Sequence, residues 1–132
     1  MSIELHNVSY TCIGIIGSRR RDSQSDFLLT KAVFDQVVRQ HEQLDIEKVV
    51  IVSGGCPKGG DRFAEKIAKD YGLIMLIHHA NWSKYGKRAG FVRNGDIAHD
   101  SDILIACVSQ DRKGGTEDTV MKFGDKGPLI FV

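Results

Sequence analysis

Short apolar runs that alternate with amphipathic stretches constrain this chain more than any other feature of its sequence. Five apolar runs, each with the length of a strand, lie at residues 10–17, 48–52, 73–77, 103–108 and 129–132. Four stretches with near-helical apolar spacing lie between them, at residues 26–43, 61–71, 89–99 and 116–123. The order is therefore β-α-β-α-β-α-β-α-β. Strands that are apolar throughout, rather than alternating, are typical of a parallel sheet with helices on both faces.

This order predicts an α/β fold of the Rossmann-like class, with a single doubly wound, mostly parallel five-stranded sheet. The 132 residues fit one domain, and the sequence contains no linker, internal repeat or low-complexity tract. We therefore expect residues 1–132 to form a single domain. In open sheets of this kind ligands bind beyond the carboxyl ends of the strands, so a binding site is expected in the loops that follow them.

Charge and cysteine content restrict the partners and the compartment. The formal net charge is +1, so no overall field attracts nucleic acid or an anionic membrane. Residues 1–8 lack the apolar core of a signal peptide, and no apolar run approaches the roughly 20 residues of a membrane span. Cys12, Cys56 and Cys107 lie far apart with no CxxC spacing, which argues against a disulfide framework and against zinc. We expect a cytoplasmic protein without membrane contact, metal site or cofactor.

Three glycine-rich loops follow strands and lead towards predicted helices. Glycine lets the backbone approach a ligand closely, and a helix N-terminus offers N–H groups and partial positive charge to a phosphate. Because these loops should converge on one sheet edge, we predict that they bind a nucleotide or a related phosphorylated small molecule. The predicted ligand-binding residues are Gly17, Ser18, Arg19, Gly54, Gly55, Asp61, Arg93, Asn94, Gly114, Gly115 and Thr116.

Some of these residues have an ordinary structural interpretation as well. The segment 114–116 could be a turn in which Thr116 caps the next helix, instead of a phosphate loop. Asp61 could contact a ribose hydroxyl or could cap a helix. One of the arginines at 19–21 could neutralise a phosphate, or the three could form a solvated basic turn.

The residues in and after the aromatic loop that precedes the third long helix also have two interpretations each. Arg93 could contact the ligand, or it could form a structural ion pair with Asp96 or Asp102. Trp82 and Tyr85 could stack on a base, or they could close a part of the core. We favour a ligand role for Arg93, and base stacking is the functional interpretation of the two aromatic residues.

Two common phosphate motifs are excluded. The loop at 54–61 begins like a P-loop but continues with Gly60-Asp61, so it lacks the phosphate lysine and the magnesium hydroxyl. The first apolar strand does not end in GxGxxG with an acidic residue about 20 positions later, which argues against a standard dinucleotide site. A phosphate site here must use a different arrangement of glycines.

Three ordered strings carry a family resemblance that spans residues 13–132. They are Ser53-Gly54-Gly55-x-x-x-Gly59-Gly60-Asp61-Arg62-x-Ala64, Trp82-x-x-Tyr85-Gly86-x-x-Ala89-Gly90-x-x-Arg93-Asn94, and Gly114-Gly115-Thr116-x-Asp118. Together they resemble the YspA-like branch of the SLOG superfamily, a Rossmann-like group that includes the DprA proteins and the LOG phosphoribohydrolases. The resemblance implies a nucleotide or nucleotide-derived ligand held by the glycine loops, and it implies a homodimer that apolar helix faces could support.

The same resemblance permits an enzymatic activity. LOG enzymes cleave the N-glycosidic bond of nucleoside 5′-monophosphates, with a signature arginine followed by PGGxGTxxE. Arg93 matches the arginine, but Thr119 stands where the catalytic glutamate is expected. Glycosidic cleavage needs a carboxylate at the oxocarbenium-like transition state, which threonine cannot supply. Asp118, with Glu117 beside it, is the better substitute, so Arg93 and Asp118 are the candidate catalytic pair.

Three functions follow from these patterns. The first is a binding or sensing domain for a nucleotide-derived molecule. The second is a nucleotide N-glycosidase or a deoxyribosyltransferase-like enzyme. The third is a DprA-like DNA-handling module, against which stand the small net charge and the absence of a basic stripe interleaved with aromatic residues.

Overall fold

The computed structural model describes residues 2–5, 8–41 and 44–132 and folds them as an α/β layered structure around one sheet. The strands are β1 (Ser2–Leu5), β2 (Val8–Gly17), β3 (Val49–Ser53), β4 (Ile74–Ile77), β5 (Ile103–Cys107) and β6 (Leu129–Phe131). The helices are α1 (Gln24–Gln40), α2 (Gly60–Tyr71), α3 (Trp82–Tyr85), α4 (Ala89–Asp100) and α5 (Gly115–Phe123), with short 3-10 turns at Ile46–Lys48 and Gly86–Arg88.

Five strands form the parallel sheet that the sequence predicts, in the order β4-β3-β2-β5-β6. The register pairs Ile13 with Ile51 on one side of β2 and with Ile103 on the other. Each connection between parallel strands carries at least one helix, as a doubly wound sheet requires. The α/β Rossmann-like fold class is therefore confirmed.

The count of five strands was incomplete, because β1 adds a sixth strand within the described residues. It pairs antiparallel with the start of β2, with Ser2 opposite Thr11 and Leu5 opposite Val8. The sequence of β1 alternates polar and apolar residues, a pattern that is typical of antiparallel strands. The sequence analysis considered residues 1–8 only to exclude a signal peptide and so did not predict this strand.

The sheet buries an apolar layer on each face, which explains why its strands are apolar throughout. Successive residues of β2 point to opposite sides, so Ile13 and Ile15 pack under α1 and α2 while Cys12 and Ile16 pack on the side of α4 and α5. Helix α1 begins with a capping box at Ser23 and ends at Gln40, whereas the predicted helix continued to residue 43; residues 42 and 43 lie outside the described part of the chain.

The strand order places a crevice beside the carboxyl end of β2. The chain runs outward from β2 to β3 and β4, and then crosses to β5 and β6 on the other side, so β2 and β5 flank the topological switch point. Helix α2 starts directly against the end of β2 because residue 60 is glycine: a Cβ there would lie 2.1 Å from the backbone nitrogen of Gly17. No helix in the described part of the chain has the length and apolar character needed to cross a bilayer.

Candidate functional site

A cavity of about 360 Å³ lies at this switch point. Its walls come from the loop after β2, the start of α2, the middle of α4, and the loop that leads from β5 into α5. The lining residues are Ile16, Gly17, Ser18, Arg19, Arg20, Cys56, Asp61, Arg93, Asn94, Ile97, Lys113, Gly114, Gly115, Thr116 and Thr119. The volume and the mixture of glycine, charged and apolar groups are those of a small-molecule site.

The first wall is built on Asp61, which is only 9% exposed. It is the second residue of α2, and Gly59 rather than Asp61 occupies the N-cap position. The Asp61 carboxylate accepts the backbone N–H of Cys56 at 3.0 Å. Burial raises the pKa of Asp61, although the N–H groups of Cys56 and Gly54 and the charge of Arg93 act in the opposite direction.

The second wall is a network centred on Asn94, which is 6% exposed. Arg93 donates from Nε to the Asn94 side-chain oxygen at 3.1 Å and from Nη1 to the Gly54 carbonyl at 2.9 Å. Asn94 in turn donates from Nδ2 to Asp118 at 3.1 Å and to the Gly115 carbonyl at 3.3 Å. Because the network joins the loop after β3 to the start of α5 through α4, it fixes two walls of the cavity relative to each other.

The third wall is the start of α5. Gly114 occupies the N-cap position with φ of 114°, a conformation that strongly favours glycine. No side chain caps the helix, so the first backbone N–H groups remain available to a ligand. Gly115 and Thr116 follow, and the hydroxyl of the buried Thr119 donates to the Gly115 carbonyl at 3.3 Å. This wall has the composition of an anion site at a helix N-terminus.

The cavity is positively charged although the whole chain is nearly neutral. Among the described residues, Arg19, Arg20, Arg93 and Lys113 line it. Arg20 is paired with Asp111, which leaves three cations against the single lining carboxylate of Asp61. The side chains of Arg19 and Lys113 form no ion pair within the described part of the chain. The excess of cations indicates that the cavity suits an anionic ligand.

Arg20, an exposed residue in the lining of the cavity, holds the loop after β5. Its guanidinium binds Asp111 with both terminal nitrogens, at 2.8 and 2.6 Å, and it also donates to Ser109 at 2.9 Å. The hydrogen bonds from Arg20 and Ser109 hold the pKa of Asp111 well below its usual range. The contacts of Arg20 with Asp111 and Ser109 fix the loop and so position Lys113 and the glycines that follow it.

Most of the predicted ligand-binding residues come together in this cavity. Nine of the eleven line it, and the exceptions are Gly54 and Gly55. Gly54 lies directly behind the wall, where an added Cβ would meet Arg93 Nη1 at 2.8 Å and Asp61 Oδ2 at 3.0 Å. Arg93 bonds to Gly54 and Asn94 rather than to Asp96 or Asp102 among the described residues.

The other predicted residues lie outside the cavity. Trp82 and Tyr85 are 62% and 39% exposed and do not line it, so they are not placed to stack on a ligand within it. Asp118 is held behind the wall, where it accepts hydrogen bonds from Asn94 and from Lys122 at 2.8 Å. Thr119 faces the cavity instead.

Six lining residues were not predicted, namely Ile16, Arg20, Cys56, Ile97, Lys113 and Thr119. Arg20, Cys56 and Lys113 lie in the predicted loops, but the sequence does not show which loop side chains turn inward. Ile16 and Ile97 have the apolar pattern of core residues, and their packing continues into the floor of the cavity. Among the described residues, no group of three histidine, cysteine, aspartate or glutamate side chains is arranged to hold a metal ion.

Comparisons with known proteins agree with the fold. No family model matches this chain. The Gene 61 protein of Mycobacterium phage D29 is 28% identical over 95 residues, which cover 59% of this chain and 74% of that protein. DNA processing protein A (DprA) from Streptococcus pneumoniae superposes with a TM-score of 0.69 and 16% identity over 92% of this chain. The chain spans half of the length of that DprA chain, since the match covers 50% of it.

Two further solved structures share the architecture. The molybdenum cofactor binding protein from the phototrophic bacterium Rippkaea orientalis has a TM-score of 0.66 and 21% identity, and covers 92% of this chain and 76% of its own. The molybdenum cofactor carrier protein from Chlamydomonas reinhardtii has a TM-score of 0.53 and 14% identity, and covers 93% of this chain and 76% of its own. These likenesses show that the chain shares the Rossmann-like α/β fold of those proteins, while membership of the SLOG superfamily and of its YspA-like branch stays a prediction.

Proposed function

We propose that this chain is a binding or sensing domain for a nucleotide or nucleotide-derived phosphorylated small molecule. The observation that carries the proposal is the cation excess inside a cavity at the sheet's switch point. Arg19 and Lys113 lie at its mouth without ion-pair partners among the described residues, and the uncapped start of α5 adds backbone N–H groups. A phosphate group is the ligand chemistry that best satisfies all three donors at once.

The size of the cavity supports a ligand larger than a phosphate ion. A volume of about 360 Å³ accommodates a sugar phosphate with part of a base. The apolar floor at Ile16 and Ile97 offers contact to the less polar part of such a molecule. Two proteins with this fold are described as binding or carrying molybdenum cofactor, which supports a small-molecule ligand in general and adds that cofactor to the panel to be tested.

The geometry favours binding over N-glycosidic hydrolysis. Asp118, the candidate catalytic carboxylate, lies behind the wall and is already bonded to Asn94 and Lys122. The position that faces the cavity is Thr119, whose hydroxyl cannot stabilise an oxocarbenium-like transition state as a carboxylate does. Both contacts are made to Oδ2, and they hold the carboxylate outside the lining of the cavity.

The test is binding of a ligand panel to the purified protein. Ribonucleoside mono-, di- and triphosphates, molybdenum cofactor and inorganic phosphate are titrated by calorimetry, and bound and converted species are identified by mass spectrometry. We expect one phosphorylated ligand to bind intact. We expect Arg93→Gln to weaken its binding about tenfold or more, because a charge-assisted contact in a half-buried site is lost.

A matched pair of lysine variants distinguishes the effect of a charge inside the cavity from the effect of the net charge of the protein. Lys113→Gln removes a cation from the cavity mouth and should weaken binding about three- to tenfold. Lys69→Gln removes the same charge from an exposed position near the end of α2 and should leave the affinity unchanged. No binding by any member of the panel, or equal losses in both variants, would refute the proposal. Release of free base that is lost in Asp118→Asn would instead establish the hydrolase.

A further inference from the structure

Asp61 is an unexpected residue in a cavity suited to anions. It is the only carboxylate among the described lining residues, and it is almost fully buried. A buried carboxylate repels a phosphate and loses its own hydration, so it weakens a site that binds phosphate alone. Its presence is explained if the ligand brings hydrogen-bond donors as well as negative charge.

The fold itself leaves part of the hydrogen-bonding capacity of Asp61 for a ligand. Cys56 donates its backbone N–H to Oδ2, and the N–H of Gly54 stabilises the carboxylate as well. An ionised carboxylate offers about four lone-pair positions, so acceptor capacity remains on this lining residue. The effect of burial still exceeds these contacts, since the pKa of Asp61 is raised. Further donors would therefore stabilise the ionised form.

Arg93 lies beside Asp61 without neutralising it by direct contact. No salt bridge joins the two among the described residues, although the charge of Arg93 lowers the pKa of Asp61. Both heads approach Gly54 closely, and any side chain there would displace them. Arg93 uses Nε and Nη1 for Asn94 and Gly54, which leaves further N–H donors of its guanidinium. The cavity thus presents a hydrogen-bond acceptor, the Asp61 carboxylate, next to the positively charged hydrogen-bond donors of Arg93.

We propose that Asp61 determines the ligand class by accepting hydrogen bonds from the free sugar hydroxyls of a ribose-containing phosphorylated molecule, while the cations hold its phosphate. This inference rests on the proposed function and names its substrate class. A phosphate without a sugar uses only the cationic side of the cavity. A ribose phosphate satisfies the cations and Asp61 together, and hydroxyls are the donors that a ribose sugar supplies.

The experiment compares ligands that differ only in these hydroxyls. The four ribonucleoside 5′-monophosphates and their 2′,3′-dideoxy counterparts are titrated separately into the full chain. Wild-type protein should prefer the ribo form of the nucleotide it binds by about ten- to a hundredfold, the usual effect of a hydrogen bond to a charged group. In Asp61→Asn the preference should fall below about threefold. Affinity for the dideoxy form should stay the same or rise, because a negative charge near Arg93 is removed.

Asp125→Asn is the matched control, because it makes the same substitution at an exposed position outside the lining of the cavity. It should leave the preference unchanged, and thermal unfolding checks that each variant is folded. The wild-type ratio decides the proposal even where Asp61→Asn does not fold. Nucleotide binding without a hydroxyl preference, or a preference that survives Asp61→Asn, would overturn this inference and leave the proposed function intact. Failure of these eight nucleotides and of every other phosphorylated molecule in the panel to bind would overturn both.

Discussion

The contact between Gly60 and the end of β2 predicts that Gly60→Ala is severely destabilising. An alanine Cβ at this position would lie 2.1 Å from Gly17 N and from the Ile16 carbonyl carbon, and 2.4 Å from the Ile16 oxygen. Non-bonded carbon contacts need about 3.5 Å, so the start of α2 would have to retreat by roughly 1.4 Å. All three clashing atoms belong to the backbone of a central strand, and a change of side-chain rotamer cannot relieve the contact.

The expected loss can be set against what alanine normally contributes. In a helix, alanine is favoured over glycine by roughly 0.5–1 kcal/mol. Overpacking costs typically 1–3 kcal/mol and sometimes more, and here the obstacle is rigid. We expect a net loss of about 3 kcal/mol, which for a domain of this size lowers the Tm by about 10 °C. Urea and thermal unfolding, followed by circular dichroism, measure both quantities.

Gly90→Ala is the matched control for this prediction. Gly90 lies in the first turn of α4, as Gly60 lies in that of α2, but an added Cβ there would meet only the Trp82 ring edge at 3.8 Å, an ordinary contact. It should leave stability unchanged or raise it by up to about 1 kcal/mol. If Gly60→Ala unfolds within about 0.5 kcal/mol of the wild type, α2 can slide along β2, and the rigid abutment inferred from the structure is wrong.

Two further predictions concern the helices on the α1–α2 face. The Tyr71 hydroxyl donates to Asp35 at 2.5 Å, which raises the pKa of Tyr71 to about 12. Because this folded pKa lies above the unfolded value of about 10, the hydrogen bond stabilises the protein fully below pH 10, and this stabilisation is lost as the pH rises through 12. Phenolate absorbance should show a late phase that Asp35→Asn moves towards pH 10, and a late phase unchanged in that variant would contradict the assignment. Ser23→Ala should destabilise the protein by about 1 kcal/mol in urea unfolding, because Ser23 Oγ accepts the Asp26 N–H in the capping box of α1; a loss below about 0.3 kcal/mol would show that the cap contributes little.

The sequence predicts the architecture well, for a physical reason that concerns particular strands. Runs such as 103–108 are apolar because both faces of the sheet are covered, and this pattern is visible without tertiary information. The short strand β1 has no such signal, since four residues with alternating polarity satisfy many local structures. Its pairing with β2 depends on tertiary contacts, which the local sequence does not show.

The sequence indicates which loops lie at the candidate site, but not which of their side chains point into the cavity. The loop at 114–116 lies in the wall of the cavity, and its glycines, which follow a strand and precede a helix, are visible in the sequence. Distant partners decide how the three adjacent arginines are oriented. Arg21 turns to the carbonyl oxygens of Val108 and Val132 and does not line the cavity, whereas Arg20 lines it while it is bound to Asp111. Partners about 90 or more residues away in sequence leave no local pattern, and the inward side of each loop could not be predicted.

The central place of β2 in the sheet has a consequence for how the protein is made. Its backbone bonds to β5 across a sequence separation of 90 residues, with the Asp102 N–H donating to the Cys12 carbonyl at 2.8 Å and the Asp102 carboxylate accepting the Cys12 N–H. During synthesis the N-terminal strands can pair with each other while one edge of β2 waits for β5 to emerge. The cavity needs residues from both sides of that edge, so a ligand cannot assist the first folding steps. A ligand can stabilise the chain only after β5 has paired with β2. Until then the unpaired edge of β2 is the region most exposed to pairing with another chain.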